Sequence, residues 1–138
     1  MRIWILAVSL VLASFARAGD SVDPVLDRIA KVDRFAFGGT GYAGVMSLGE
    51  KDYRVILTRP SALLDFEKLF SVGNAQGKSY ALMGIRTLDP ARFKQISLPL
   101  RGSTEEVVTQ SGCIVDHESF GTVLKRIEAG AYVHYGSH

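Results

Sequence analysis

Residues that start and stop helices constrain the fold of this 138-residue chain more than any other feature. Asp23–Pro24 and Asp89–Pro90 each place an N-cap carboxylate before a proline suited to the first helical turn. Ser47 and Glu50 have the spacing of a capping box. The predicted helices are 24–34, 47–59, 60–73, 74–88, 89–98 and 119–129.

Apolar side chains recur at helical spacing inside these segments, which gives each helix one face for a common core. Gly77 and Gly84 weaken the fourth helix, but small residues there would let another helix approach closely. The sequence therefore predicts a mainly α, compact domain of about six helices. The predicted core residues are Leu63, Phe66, Tyr80, Met83, Phe93, Val123 and Ile127.

One β-hairpin is predicted at about 106–116. The β-branched runs Val107–Thr109 and Cys113–Val115 flank Ser111–Gly112, which is typical of a tight turn between two strands. A lone hairpin is marginally stable, so it must pack on the helices. We expect the tail, 131–138, to be extended or frayed.

A glycine-rich and aromatic segment, 35–44, separates the first two helices. Its glycines are too dense for a helix interior, so we predict an ordered loop anchored by Phe35, Phe37 and Tyr42. Gly39, Gly41 and Gly44 also match the spacing of a dinucleotide-binding turn.

The context of that glycine motif disagrees with a dinucleotide site. The motif requires a preceding buried strand, a helix that starts within the glycines, and an acid at the end of a second strand. Asp65 has the right spacing, but it falls in a predicted helix. We therefore interpret the glycines as a structural turn that needs positive φ, and we expect no dinucleotide and no other cofactor.

The first eighteen residues have the pattern of a secretory signal peptide. Arg2 precedes an apolar run, and Ala16-Arg17-Ala18 supplies small residues at the two positions that a signal peptidase reads. The run is shorter than the roughly 20 residues that a membrane-spanning helix needs. We expect a periplasmic or secreted protein in which 19–138 forms a single helical domain, with no membrane span.

Removal of the leader changes the charge balance. Subtracting Arg2 and Arg17 from the 16 Lys and Arg leaves 14, which equals the number of Asp and Glu, none of which lies in 1–18. The remaining charges are interspersed. This pattern lacks the clustered cations that phosphate neutralisation requires, so nucleic acid is not an expected partner.

Cys113 is the only cysteine, so no intramolecular disulfide can form. Its apolar neighbours favour burial and an inert thiol, and the alternative is a covalent dimer in an oxidising compartment. His117, His134 and His138 lack the spacing of a helical metal pair, so we expect no metal site.

Two consecutive helix pairs joined by a polar turn at Gly73-Asn74 resemble tandem hairpins of HEAT or armadillo repeats over about 60–97. Solenoids need about three repeats for stability, so the resemblance implies HEAT-like antiparallel pairs inside a compact domain. The chain is also similar to small exported bacterial proteins, which implies no particular function.

The remaining expectation is a non-enzymatic, protein-binding module of the bacterial cell envelope, of the adaptor or inhibitor kind. The candidate partner-binding loop comprises Phe37, Gly39, Gly41, Tyr42 and Gly44, because aromatic rings on a rigid loop make interface anchors. These rings could instead fill the core. The alternative function is a small secreted enzyme with a site assembled around Cys113 and His117.

Overall fold

The computed structural model describes residues 21–136, so the predicted signal peptide at 1–18 and His138 lie outside the described residues. Among residues 21–136, no helix is long and apolar enough to cross a membrane. The helices are α1 Pro24–Ala30, α2 Leu48–Leu57, α3 Ala62–Val72, α4 Ala75–Leu88, α5 Pro90–Ser97, a 3-10 turn Leu98–Leu100, α6 Phe120–Glu128 and α7 Val133–Gly136. The strands are β1 Gly39–Thr40, β2 Val45–Met46, β3 Glu106–Ser111 and β4 Ile114–Ser119.

The mainly helical prediction is confirmed, and local side-chain bonds explain where the helices begin. Asp23, Ser47, Asn74, Asp89 and Ser119 each accept a hydrogen bond from a backbone N–H of the first turn that follows. Such caps satisfy donors that have no partner inside the helix. The sequence therefore predicted these five starts correctly.

The first helix ends four residues before the predicted boundary at Arg34. The carbonyl of Ala30 accepts the N–H of Asn74, and the carbonyl of Val32 accepts the Asn74 side-chain amide. Phe35 then pairs with β3, since its N–H donates to the Val108 carbonyl at 2.8 Å. These long-range bonds hold the chain in a non-helical course after Ala30.

Helix α4 lies at the centre of the molecule. It contacts α1, α2, α3, α5 and α6, and it also contacts β3. Its glycines permit this crowding, as predicted. A Cβ on Gly84 would lie 2.3 Å from the ring of Phe66, and a Cβ on Gly77 would lie 2.8 Å from the carbonyl of Ile29. Both positions therefore admit only hydrogen in this packing.

The predicted core is confirmed at six of seven positions. Phe66, Tyr80, Met83, Phe93, Val123 and Ile127 are buried, whereas Leu63 is only half-buried at the edge of the core. Helices α3 and α4 pack against each other, but their resemblance to a HEAT repeat stays a prediction.

The hairpin forms close to the predicted residues, in the register Glu106 with Ser119 through Ser111 with Ile114. Gly112 adopts φ +56° in the two-residue loop, where a Cβ would strain the turn. The prediction that Cys113 is buried is wrong. Cys113 lies exposed in the loop, and Ile114 and Val115 are exposed because only β3 of the two strands has residues in the core.

The tail is not frayed over the described residues. Residues Val133–Gly136 form a short helix, and the Tyr132 ring packs against Phe35 with 5.2 Å between ring centroids. Burial of aromatic surface offsets the entropy of ordering this segment, which the weak local pattern did not reveal.

Candidate functional site

The segment 35–38 is held in the core by a buried tyrosine. The Tyr80 hydroxyl donates to the carbonyl of Ala36 at 2.7 Å and accepts from the N–H of the same residue at 3.0 Å. Ser47 Oγ donates to that carbonyl at 3.1 Å. Burial raises the pKa of Tyr80 to about 12, so the phenol stays neutral and can donate at any physiological pH.

A buried carboxylate fixes the next residue. Glu50 Oε2 accepts the N–H of Gly38 at 2.8 Å, and its Oε1 accepts from Arg54 at 2.8 Å. In a capping box the Glu side chain bonds back to its own helix start. Instead the side chain reaches the glycine-rich loop, and Arg54 neutralises its charge.

Aromatic packing completes the anchor beneath the loop. Phe37 contacts Tyr53 and Tyr80 with ring centroids 5.2 Å and 5.3 Å apart, and it also contacts Phe35 and Tyr132. Phe37 is 7% exposed. The proposal that Phe37 contacts a partner is therefore wrong, because the ring fills the core beside α2 and α4.

Beyond Gly38 the loop forms a small hairpin that projects outward. Gly41 and Gly44 adopt φ of +70° and +61°, which lets strands β1 and β2 connect through a tight turn. A Cβ on Gly39 would lie 2.9 Å from the Gly44 carbonyl. A larger residue at position 39 would therefore prevent the two strands from pairing in this way. These glycines act as predicted for a structural turn.

The chain after these glycines does not have the strand-to-helix geometry of a dinucleotide fold. The glycines connect two short antiparallel strands, and α2 begins only after Ser47. Asp65 lies on α3, where its carboxylate accepts from Ser61 at 3.0 Å.

The two hairpin tips lie side by side. Thr40 forms a parallel bridge with Gly112, and the Gly41 N–H donates to the Gly112 carbonyl at 2.9 Å. Large apolar side chains are exposed on both hairpins and at the start of α2. We call this set the tip surface: Tyr42, Val45, Met46, Leu48, Ile114 and Val115.

Tyr42 is the aromatic residue of the candidate partner-binding loop that lies at the surface. Its relative exposure is 104%, so the ring makes almost no contact with its own chain. The prediction that Tyr42 anchors the loop is therefore wrong. Sequence reasoning also missed Leu48, although its position outside the apolar stripe of α2 formed by Tyr53 and Ile56 was a usable signal.

The Cys113 and His117 pair of the alternative hypothesis is not assembled. His117 lies in the middle of β4, opposite Val108, and four residues of extended chain separate it from Cys113 by about 13 Å. The His117 Nδ1 atom instead lies 3.0 Å from Glu106 Oε1. A thiol and its base must be within hydrogen-bond reach, so this pair cannot act as one.

A cleft of about 620 Å³ lies beside the tip surface and includes Leu48 in its wall. Charged residues line it, but they are paired with each other. Arg28 donates to Asp52 at 2.7 Å, a bond that raises the pKa of Arg28, and Lys31 lies 2.8 Å from Asp27. Over residues 21–136, no group of three His, Cys, Asp or Glu side chains could hold a metal ion.

No protein-family model, curated protein or solved structure matches this chain. The geometry of the tip surface is thus the basis for a functional assignment.

Proposed function

We propose that the protein is an exported, non-enzymatic module that binds another protein of the cell envelope through the tip surface. The observation that carries this proposal is the position of Tyr42, a fully exposed aromatic side chain on a loop whose base is held in the core. The exposed large apolar side chains on the two adjacent hairpin tips supply further apolar area for such an interface.

Rigidity at the base of the loop supports the proposal. The backbone of Ala36 and Gly38 is bonded to buried side chains, and Gly41 is bonded to the neighbouring hairpin. A partner that binds Tyr42 therefore has little conformational entropy to remove from this loop. Preorganised aromatic anchors are typical of residues that dominate interface energies.

Site-specific photocrosslinking tests the proposed interface. A benzophenone amino acid replaces Tyr42, and a matched variant carries it at Leu64, which is exposed on α3 away from the two hairpins. We expect one defined crosslinked species in cells from position 42 and none from position 64. The same species from both positions, or none from position 42, would contradict the proposal.

The affinity of the captured partner then tests the energetics. We expect Tyr42→Ser to weaken binding by about 30-fold, which corresponds to the ~2 kcal/mol of an interface hot spot. Leu64→Ser is the control at another exposed apolar residue, and it should leave the affinity unchanged. An equal loss of affinity in the two variants would contradict the proposal that Tyr42 dominates the interface.

Export is the second part of the proposal. We infer that the leader is cleaved after Ala18, since Ala16 and Ala18 have the small side chains that the peptidase requires. N-terminal sequencing of protein recovered from the periplasm or medium should begin at Gly19. Recovery of the intact chain from the cytosol would contradict this assignment.

A further inference from the structure

A second cleft, which shares no residue with the tip surface, is rich in positive charge. Its walls come from the last turn of α4, from α5, from the residue after the 3-10 turn and from the end of α6. Its volume is about 330 Å³, which is within the range of sites for small ligands. We call it the cationic cleft, and its lining residues are Arg86, Pro90, Phe93, Lys94, Arg101 and Glu128.

The charges of the cationic cleft do not cancel. Three cations and one carboxylate line it, which leaves a net charge of +2. The carboxylate of Glu128 accepts a hydrogen bond from Arg101 at 3.0 Å. Within residues 21–136, neither Arg86 nor Lys94 forms an ion pair. The two side chains are therefore available to an anionic ligand.

Arg86 differs from the other arginines in residues 21–136. Each of the other seven lies within 4.0 Å of a carboxylate oxygen. Arg86 is half-buried, so its guanidinium has lost part of its hydration without gaining a carboxylate from the described chain. Partial burial of an unpaired charge is unfavourable, and an anion bound in the cleft would compensate for it.

Packing holds Arg86 in place while leaving its N–H donors free for a ligand. A Cβ on Gly130 would lie 3.4 Å from Arg86 Nη2, so the guanidinium lies against the backbone that follows α6. The partial negative charge at the C-terminal end of a helix favours a cation there. Phe93, which is 4% exposed, and Pro90 supply an apolar wall beside these donors.

We propose that the cationic cleft binds a small phosphomonoester, with its phosphate on Arg86 and Lys94 and its organic group against Pro90 and Phe93. A phosphomonoester carries about two negative charges on one group at neutral pH, which matches the excess charge of the cleft. Arginine also donates two parallel hydrogen bonds to phosphate oxygens. This inference is independent of the proposed protein-binding function, because it concerns a different surface.

Titration calorimetry with two aryl esters tests the selection for a dianion. The probe is phenyl phosphate, and its matched control is phenyl sulfate, which has the same ring and a tetrahedral oxyanion with one charge fewer. At pH 8 we expect phenyl phosphate to bind at least about tenfold more tightly. At pH 5 the phosphate is below its second pKa of about 6, so this preference should largely disappear. No histidine is among the described lining residues, so the change belongs to the ligand.

Three variants test the assignment of the residues. Arg86→Gln should weaken the binding of phenyl phosphate at least about tenfold, and Lys94→Gln, at an exposed position, should weaken it about threefold. Arg92→Gln is the matched control on the same helix, because Arg92 pairs with Glu67 and lies outside the cleft. It should leave the affinity unchanged.

Thermal melting separates a ligand-binding role of Arg86 from a structural one. Without ligand, Arg86→Gln should melt at the same or a higher temperature than the native protein, because it removes a cation that has no carboxylate partner. A lower melting temperature with unchanged affinity would show that Arg86 only stabilises the end of α6. If Arg86→Gln does not fold, the affinity of Lys94→Gln decides.

The natural source of the phosphate group is tested with vesicles of phosphatidylcholine that contain phosphatidate. Sedimentation with these vesicles that Arg86→Gln abolishes would identify a lipid headgroup, whereas binding of phenyl phosphate alone would identify a soluble ester. Equal affinities for phenyl phosphate and phenyl sulfate at pH 8 would overturn the inference. So would a loss of affinity in Arg92→Gln as large as that in Lys94→Gln.

Discussion

Tyr80→Phe removes one oxygen atom from the base of the glycine-rich loop. Tyr80 and Ala36 are 0% and 2% exposed, so water cannot replace the lost hydroxyl without a local opening. The carbonyl of Ala36 keeps the hydrogen bond from Ser47 Oγ at 3.1 Å. The N–H of Ala36 loses its partner, which lies at 3.0 Å in the native protein.

The loss of stability in Tyr80→Phe follows from the two hydrogen bonds between the Tyr80 hydroxyl and the backbone of Ala36. The net contribution of a lost hydrogen bond is ~1 kcal/mol, and a buried N–H left without a partner costs a further ~1–3 kcal/mol. The free energy of unfolding should therefore fall by about 2–4 kcal/mol. Such a loss is a large fraction of the stability of a domain of this size.

Tyr53→Phe provides the matched control. Tyr53 is also 0% exposed, but its hydroxyl has one partner, Thr87 Oγ1, at the long distance of 3.5 Å. Thr87 retains its own bond to the Met83 carbonyl at 2.9 Å. Urea unfolding of the two variants should therefore differ, and Tyr53→Phe should cost under about 1 kcal/mol.

Alkaline pH gives a second readout of the same contact. The pKa of Tyr80 is about 12 in the folded protein and about 10 in an unfolded chain, so the folded state holds the proton more tightly. Stability from this group is complete below pH ~10 and is lost as the pH rises through about 12. Tyr80→Phe should reduce this loss, and the remaining part should include Tyr53, whose pKa burial also raises.

Amide exchange locates the effect. We expect the Ala36 N–H to exchange faster in Tyr80→Phe by more than the global loss of stability explains, because the loop opens locally. Equal destabilisation by Tyr80→Phe and Tyr53→Phe, with unchanged Ala36 exchange, would refute the assignment of the hydroxyl as the anchor of the loop.

Three further predictions concern other parts of the molecule. Gly84→Ala should destabilise the protein by about 1–3 kcal/mol in thermal melts, because the added Cβ would overlap the Phe66 ring. This loss should exceed the gain from the better helix propensity of Ala. A stabilised variant would contradict the close packing. Asp23→Ala should lower the free energy of unfolding by about 1–2 kcal/mol at neutral pH. Hydrogen bonding to Arg59 lowers the pKa of Asp23, so the stability difference between the two proteins should vanish as acid titrates the native carboxylate. A stability difference that does not change with pH would argue against the ion pair. Cys113 should react with a thiol reagent in the native protein within about threefold of its rate in urea, and strong protection would show that the hairpin tip is covered.

Helix starts were predictable because capping is a local interaction. Asn74, for example, accepts from Gly77 three residues later, so the residues that form the bond are all visible in one short window of sequence. The same holds for the positive φ of Gly41 and Gly44, because only glycine adopts this conformation without strain.

The exposure of the residues in the candidate partner-binding loop was only half predictable, because exposure depends on residues far away in the sequence. Phe37 and Tyr42 lie five positions apart in one aromatic loop, yet one is buried against Tyr53 and the other is fully exposed. The difference arises where Tyr80 and Glu50 bind the backbone of the loop at Ala36 and Gly38, and those contacts span 12 to 44 residues.

Local chemistry thus determined the helices, the turns and most of the core of this protein from the sequence alone. Tertiary packing decided that β3 rather than β4 contributes to the core, and so left Cys113 and Ile114 at the surface. Both strands have β-branched residues, and their propensity predicts an extended backbone equally well for each. Burial is settled by which strand meets α4, and that contact joins segments far apart in the sequence.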